Sequence, residues 1–529
     1  IAAVRSSAGQ PVCAINADAV TTNDDAACSP INPFGNGNVS DAARAYVSAR
    51  SGSSYRNEQI DLLATIGGSI LTLPAGDAKF AATYEHRDEK VRFTPFAADQ
   101  AGVLGVAAVT PQSGKFDTNE FSGEVLVPLV GHDFRLPLIR SLELTGAYRY
   151  VKNSIAGSEN VWNVGARWEV VEGVTLRGSR SRNFRAPTLT QLFAPSSANL
   201  ASGNFDPCDA DRIASGPNPT QRRAACVALF QANPTYGTGG PGGAAVGASV
   251  DARLAAFQDS GENFTTTLVT TGGNPNLRNE TAKTWTYGIV LQPRFIPGFT
   301  LTADRIQIDL TDGLSPFTTQ NFAEACYDDP TPAAGVCNAF TRLSVATAAS
   351  QAGSFATGTT TTFNAGVIRF RGETYKLNYV LPIERLLGGD REKIELEAAA
   401  THTSLLESSV TGTVFVRSDN TANSPITQTA QPDWVGRFDL RYTNGPFRFT
   451  YEAFYLSAVI AVPDATVENN PHPRIAPNLT HSISFQYDLG RFGFRFGVNN
   501  LTDKQPSYPT LSYGDIIGRS YYAGVRVKF

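Results

Sequence analysis

Arg491-Phe492-Gly493-Phe494-Arg495-Phe496-Gly497-Val498 alternates without a break. Successive side chains of an extended strand point to opposite sides. Phe492, Phe494, Phe496 and Val498 therefore share one face, and Arg491, Gly493, Arg495 and Gly497 the other. The pattern continues on both sides. Ile483, Phe485, Tyr487 and Leu489 oppose Ser482, Ser484, Gln486 and Asp488. Tyr521, Ala523, Val525, Val527 and Phe529 oppose Tyr522, Gly524, Arg526 and Lys528. Upstream, Phe447, Phe449, Tyr451 and Tyr455 oppose Arg448, Thr450 and Glu452, and Ile394, Leu396 and Ala398 oppose Glu395 and Glu397. Period-two patterning of this kind predicts β-strands with one apolar face.

A soluble sandwich alternates in the same way. Composition separates the two readings. The 529 residues are only 17% charged, against the ~25% of soluble proteins, and 10% are aromatic. The chain has no run of ~18 apolar residues, the length a transmembrane helix needs. A closed β-barrel is the other way across a bilayer. The 44 Lys+Arg nearly balance 48 Asp+Glu. That balance argues against nucleic acid as a partner, which calls for a basic excess.

Strand length and connection length point to the barrel. About fifteen strands are predicted, near 57–73, 76–91, 115–129, 140–152, 160–171, 173–185, 277–293, 298–311, 364–381, 391–405, 431–443, 446–457, 476–489, 491–501 and 519–529. Many approach the length of a tilted crossing. Tight connections alternate with long ones near 92–114, 187–276, 312–363, 408–430, 459–475 and 503–518. Short turns on one side and long loops on the other mark an outer-membrane barrel. Residues 1–56 are expected to form an extracellular loop, and 57–529 a transmembrane barrel portion. Ile1 is not an initiator Met, and no signal-peptide layout follows it. An odd strand count and a loop at the start predict that earlier strands lie outside this chain.

Six cysteines fall as close pairs: Cys13 with Cys28, Cys208 with Cys226, and Cys326 with Cys337. Each pair sits in a stretch rich in Pro, Asn, Asp and Ala and matches no zinc spacing. Local pairs in loops predict disulfides in an oxidising compartment. His86, His132, His402, His472 and His481 are scattered, without a ligand spacing, so no metal site and no cofactor are expected. Glu120, Glu124, Glu143, Arg149, Arg167, Arg177, Arg448 and Arg526 would be costly against lipid, and parity assigns most of them to the lumen. Gly239–Gly247 lacks the Lys-Ser/Thr of a phosphate loop and reads as flexible linker.

Several segments resemble one family, the TonB-dependent outer-membrane receptors. Arg182-Asn183-Phe184-Arg185-Ala186-Pro187-Thr188-Leu189, with Leu192-Phe193, resembles the family's FRAP segment, which ends an outward strand. Gly273-Asn274-Pro275-Asn276-Leu277 with Glu280-Thr281 resembles its NPxL-x-x-E-T segment, which starts the next inward strand. Val498-Asn499-Asn500-Leu501-Thr502-Asp503 is similar to the penultimate-strand NLxD motif, and terminal Phe529 to the signal read by the barrel-assembly machinery. Pro187 and Pro275 cannot donate to a ladder, which suits the barrel mouth where pairing ends. The alternative is that the FRAP residues bind substrate.

The resemblance implies a plugged barrel of about 22 strands in the bacterial outer membrane. This chain would supply the C-terminal part of the wall. The plug domain and first strands are expected upstream or on a separate chain. It also implies active uptake of a scarce nutrient, such as a ferric siderophore or an oligosaccharide. The partners would be membrane lipid, the missing plug, the TonB complex acting through it, and the assembly machinery. A structural or surface-interaction barrel without active transport is the competing reading. The chain shows no catalytic constellation, so no enzyme is expected. Substrate contacts stay unassigned.

Overall fold

Two-residue turns and period-two strands dictate neighbour-to-neighbour antiparallel pairing, and the computed structural model has that topology. It describes residues 3–529 except 106, 132–133, 135, 202–205, 260–266, 365, 384–391, 410–414, 424–428, 464, 469 and 511. His132 lies outside the described residues.

One antiparallel sheet contains fifteen long strands in chain order. They are β1 Ser53–Leu73, β2 Gly76–Pro95, β3 Gln112–Val130, β4 Ser141–Asn153, β5 Gly157–Val171, β6 Val174–Arg185, β7 Glu280–Leu291 and β8 Phe299–Thr311. Next come β9 Val367–Pro382, β10 Glu392–Ser409, β11 Trp434–Asn444, β12 Phe447–Leu456, β13 Asn478–Leu489, β14 Phe492–Asn499 and β15 Ser520–Val527. Among the described residues the sheet is open, with β1 and β15 as its edges. The first strand starts at Ser53 rather than near 57, because Ser53–Arg56 pair with Arg92–Pro95. This moves the end of the expected 1–56 loop.

Two-residue turns such as 172–173, 445–446 and 490–491 lie at one end of the sheet. The connections 96–111, 186–279, 312–366, 410–433, 457–477 and 500–519 lie at the other. Gly173 shows why such a turn needs glycine. Its φ is +82°, and a Cβ there would stand 2.2 Å from the Gln292 carbonyl oxygen of the next turn.

The sheet has one apolar and one charged face. On β11, Trp434, Gly436, Phe438, Leu440 and Tyr442 alternate with Val435, Arg437, Asp439, Arg441 and Thr443. Apolar residues meet apolar ones across the register: Phe494 pairs with Tyr487 and Val525, and Phe485 with Phe449 and Phe496. Ion pairs run along and across strands on the other face. Arg437 reaches Asp439 at 2.7 Å and Glu452 at 2.6 Å, Lys376 reaches Glu397 at 3.1 Å, and Arg526 reaches Asp488 at 3.3 Å. Arg177 on β6 grips Asp304 on β8 through two hydrogen bonds of 2.9 and 2.6 Å. The pair crosses Gly288 of β7, whose missing side chain leaves room for it.

The stretches 187–276 and 312–363 depart most from expectation. They are not irregular loops but fold together as one module. A five-stranded sheet holds Ser197–Ala201, Thr267–Gly272, Leu314–Phe317, Phe340–Arg342 and Phe355–Asn364. Helices α1 Pro219–Ala232, α2 Val250–Ala256 and α3 Thr319–Asp328 pack beside it. Cys208, Cys226, Phe230, Phe257, Phe322 and Phe355 belong to its core. Disulfides join Cys208 to Cys226 and Cys326 to Cys337 within the module, and Cys13 to Cys28 ahead of β1. In the chain-entropy model, closing loops of this size contributes about 3 kcal/mol each.

The Gly239–Gly247 reading is corrected here for the first half of the run. Gly240 has φ +66°, and a Cβ on it would lie 2.6 Å from the Ser350 carbonyl oxygen. At Gly237 a Cβ would lie equally close to the Arg253 carbonyl, 2.6 Å away. The start of the run, from Gly237 to Gly243, is thus held close to neighbouring backbone, while Val246 is 90% exposed and Gly247 stands in open space.

Candidate functional site

The FRAP-like and NPxL-like segments meet where β6 and β7 leave the sheet. Arg185, the last residue of β6, donates from Nη2 and Nε to Glu280, the first residue of β7, at 3.1 and 2.5 Å. Buried Glu280 also accepts the Leu314 backbone N–H at 2.7 Å. One ion pair thus pins the starts of both inserted segments.

After Pro187, Thr188 caps a one-turn helix, Leu189–Phe193, through a reciprocal capping box with Gln191. Leu189 and Leu192 pack with Val91, Phe116, Leu277 and Leu314. Phe193 lies where a Cβ on Gly114 of β3 would come within 2.2 Å of its ring, so that glycine gives the ring its seat. The second segment is laced to the first. Gly273 N–H donates to Ala194 O at 3.1 Å, Asn274 N–H to Gln191 O at 2.8 Å, and Asn274 Nδ2 to Thr362 O at 3.1 Å.

The motif residues are therefore structural ties. Gly273→Ala puts a methyl 2.5 Å from Leu192 O and Ala194 N, both backbone atoms. Overpacking of this kind costs about 1–3 kcal/mol. Protease nicking between 194 and 279 should accelerate in that variant, while heat-resistant migration of the barrel stays unchanged. Equal nicking of variant and parent would refute the tie.

Two cavities flank the one-turn helix. One of about 460 Å³ is lined by Gln112, Phe193, Asn274, Phe322 and Phe363. The other, of about 420 Å³, is lined by Tyr55, Arg87, Glu120, Arg149, Phe184 and Thr188. In the second, Arg149 meets Glu120 at 2.7 Å, and Arg87 lies 2.6 Å from Glu85 and 3.6 Å from Glu120. This is a wall of paired charges and an aromatic rim. It suits a polar ligand held by hydrogen bonds. Among the described residues no group of His, Cys, Asp and Glu could hold a metal ion. The histidines sit apart: His86 bonds Asn119, His402 bonds Glu373 and stacks on Trp434, His481 bonds Tyr451, and His472 meets the edge of Tyr508.

Buried ion pairs tie the two inserted segments of the module to each other. Arg222 makes two 2.6 Å bonds to Asp328, and Arg342 binds Asp206 at 2.5 and 2.9 Å. Burial raises the Glu324 carboxyl above its ordinary range and pushes the Tyr327 phenol up. Sequence reasoning missed these pairs. The available signal was the mixture of Arg and Asp with Cys and Phe in stretches expected to be loop.

The remaining motif residues lie at the sheet's last strands. Asn500 follows β14 at φ +50°. Its side chain accepts the Lys504 N–H and donates to the Lys504 carbonyl, both at 2.8 Å, which turns the chain. Phe529 stands exposed beyond β15.

The chain is similar in fold to a mutant of the ferric enterobactin receptor PfeA from Pseudomonas aeruginosa in complex with enterobactin. The identity is 13% and the TM-score 0.55, covering 90% of this chain and 55% of that one. The siderophore receptor PirA from Acinetobacter baumannii is similar at 12% identity and TM-score 0.52, with 90% and 55% covered. The chain thus spans about half the length of the solved receptors it matches. No curated protein matches it in sequence. The family model described as TonB dependent receptor-like, beta-barrel matches residues 17–211 and 232–501, and the chain belongs to that family.

Proposed function

We propose that this chain forms wall and outer loops of a bacterial outer-membrane transporter that takes up a scarce nutrient with energy delivered by the TonB complex. The observation that carries the reading is the family match, which runs through the first fourteen of the fifteen sheet strands. The apolar face would meet lipid and the charged face the lumen. The end with long connections, including residues ahead of β1, would face outside. A plug domain and further strands, upstream or on a separate chain, would close the barrel and pass on the pull of the energy-coupling complex. The exposed terminal Phe529 would be read by the barrel-assembly machinery. The similar receptors are named for siderophores, so a ferric siderophore is the first substrate class to test and an oligosaccharide the second. The paired charges around Arg87, Glu120 and Arg149 would offer such a polar solute hydrogen bonds at the mouth.

The test is uptake by cells with and without the protein, using radiolabelled ferric siderophores and oligosaccharides. Uptake that needs the protein and collapses with a protonophore is expected. Protein-dependent uptake that survives the protonophore would make it a passive pore. No protein-dependent uptake of any ligand would leave the structural, surface-interaction barrel as the better reading.

A further inference from the structure

The apolar face changes character abruptly on β6 and β7. Leu176 and Gly178 on β6 face Ile289 and Tyr287 on β7. Next along the same face come Arg180 opposite Trp285, then Arg182 directly opposite Lys283. Two like charges in direct cross-strand register are unfavourable unless something between them is negative. Arg180 lies diagonal to Lys283, completing a triangle of cations. The side chains lie on the sheet's open surface, with Arg180 and Lys283 exposed.

The carboxylates on hand neutralise Arg182 but not Arg180 or Lys283. Glu159 takes Arg182 at 2.8 Å. Asp309 stands opposite Lys283 but binds Arg371 at 2.6 Å. Among the described residues, neither Arg180 nor Lys283 has a carboxylate within 4.0 Å, the ion-pair distance that the other arginines of this face reach. Arg180 instead lies over the Trp285 ring, 4.9 Å from its centroid, and 5.9 Å from that of Trp162. Those indoles fix the guanidinium at the seam where the apolar band ends.

We propose that Arg180 and Lys283 bind the phosphate of an anionic membrane lipid, whose acyl chains lie against the apolar band below. Charge complementarity selects a phosphate, and continuity with the lipid-facing surface selects a lipid rather than a soluble anion. Lys283 and Arg180 supply charge-assisted donors, and the two tryptophans bracket the headgroup at the boundary. The seam lies toward the long connections, so the lipid belongs to the outer leaflet. The proposal rests on the membrane reading above.

The test uses the protein purified from outer membranes and reconstituted in phosphatidylcholine vesicles containing diphosphorylated or dephosphorylated lipid A. Preferential binding of the phosphorylated lipid is expected. It should fall roughly tenfold in Lys283→Gln, the loss expected for one charge-assisted bond, and be retained in Lys283→Arg. Arg180→Gln should behave like Lys283→Gln, and heat-resistant migration on gels shows that each variant is folded. Equal binding by folded Lys283→Gln and Arg180→Gln, or no preference for the phosphorylated lipid, overturns the site while leaving the barrel intact. Inorganic phosphate competing as well as the lipid overturns the lipid assignment. Failure of the parent protein to enter bilayers would sink the membrane reading itself.

Discussion

Phe438→Arg should destabilise the folded barrel by about 2–4 kcal/mol, the cost of an arginine on the lipid face near the bilayer midplane. Phe438 is the middle residue of the apolar column on β11, with Trp434 at one end and Tyr442 at the other. From one end to the other the column covers roughly 27 Å of strand, before tilt, close to the ~25 Å apolar band of outer-membrane barrels. Its cross-strand partners are Ala398 and Ala453, and the Tyr451 ring lies edge-on to it at 6.3 Å. None of these carries a negative charge to pair with a guanidinium. The charge would have to snorkel past an aromatic girdle or draw water into the band. Ser484→Arg is the matched control. It sits opposite Thr450 and Gly497 on the charged face, and a change of about 0.5 kcal/mol or less is expected. Urea-driven unfolding of the full-length protein in lipid vesicles measures both. Equal costs at the two positions would mean that the apolar face does not meet lipid.

The strands were legible because their signal is local. A period of two survives any uncertainty about partners, and a one-residue slip would send every apolar residue to the wrong face. Phe492, Phe494 and Phe496 define β14 by themselves. Ends were less legible, since they depend on a neighbour: Ser53–Arg56 look like loop until Arg92–Pro95 pair with them. The module escaped notice for the opposite reason. Phe230 and Phe257 lie in one inserted segment and Phe322 and Phe355 in the other, with β7 and β8 between them. No window of sequence shows that core. The glycine run misled in the same way. Gly240 reads as freedom, but the structure uses it for a positive φ and for contact with Ser350. At the mouth, the motifs located the junction correctly by position. Their roles as a capping box and an Arg185–Glu280 clasp became visible only when both strands were in place.

Arg342→Ala should unfold the module and spare the barrel. Asp206 is fully buried, and so is the Arg342 side chain, which is 5% exposed. Arg342 binds both Asp206 oxygens, donates to the Gly353 carbonyl at 2.6 Å and to the Tyr327 hydroxyl at 3.0 Å, and lies 4.3 Å from the centroid of the Phe355 ring. Removing one partner of a buried pair leaves the other charge without compensation, at about 3–5 kcal/mol. A module with so small a core has little more than that in reserve, apart from its two disulfides. Amide exchange should therefore lose protection across α1 and α3 and the strand Phe340–Arg342, while β11 to β14 keep theirs. Arg342→Lys keeps the charge but not the planar fork, so it should fall between parent and Ala variant. Asp206→Ala combined with Arg342→Ala should cost less than the sum of the two single changes, because neither charge is then left alone. Reduction of Cys208–Cys226 and Cys326–Cys337 removes a further ~3 kcal/mol for each disulfide and should make the loss complete. Protection lost equally from β11 to β14 would show that module and sheet form one cooperative unit. Unchanged exchange in Arg342→Ala would show that the pair does not hold the module.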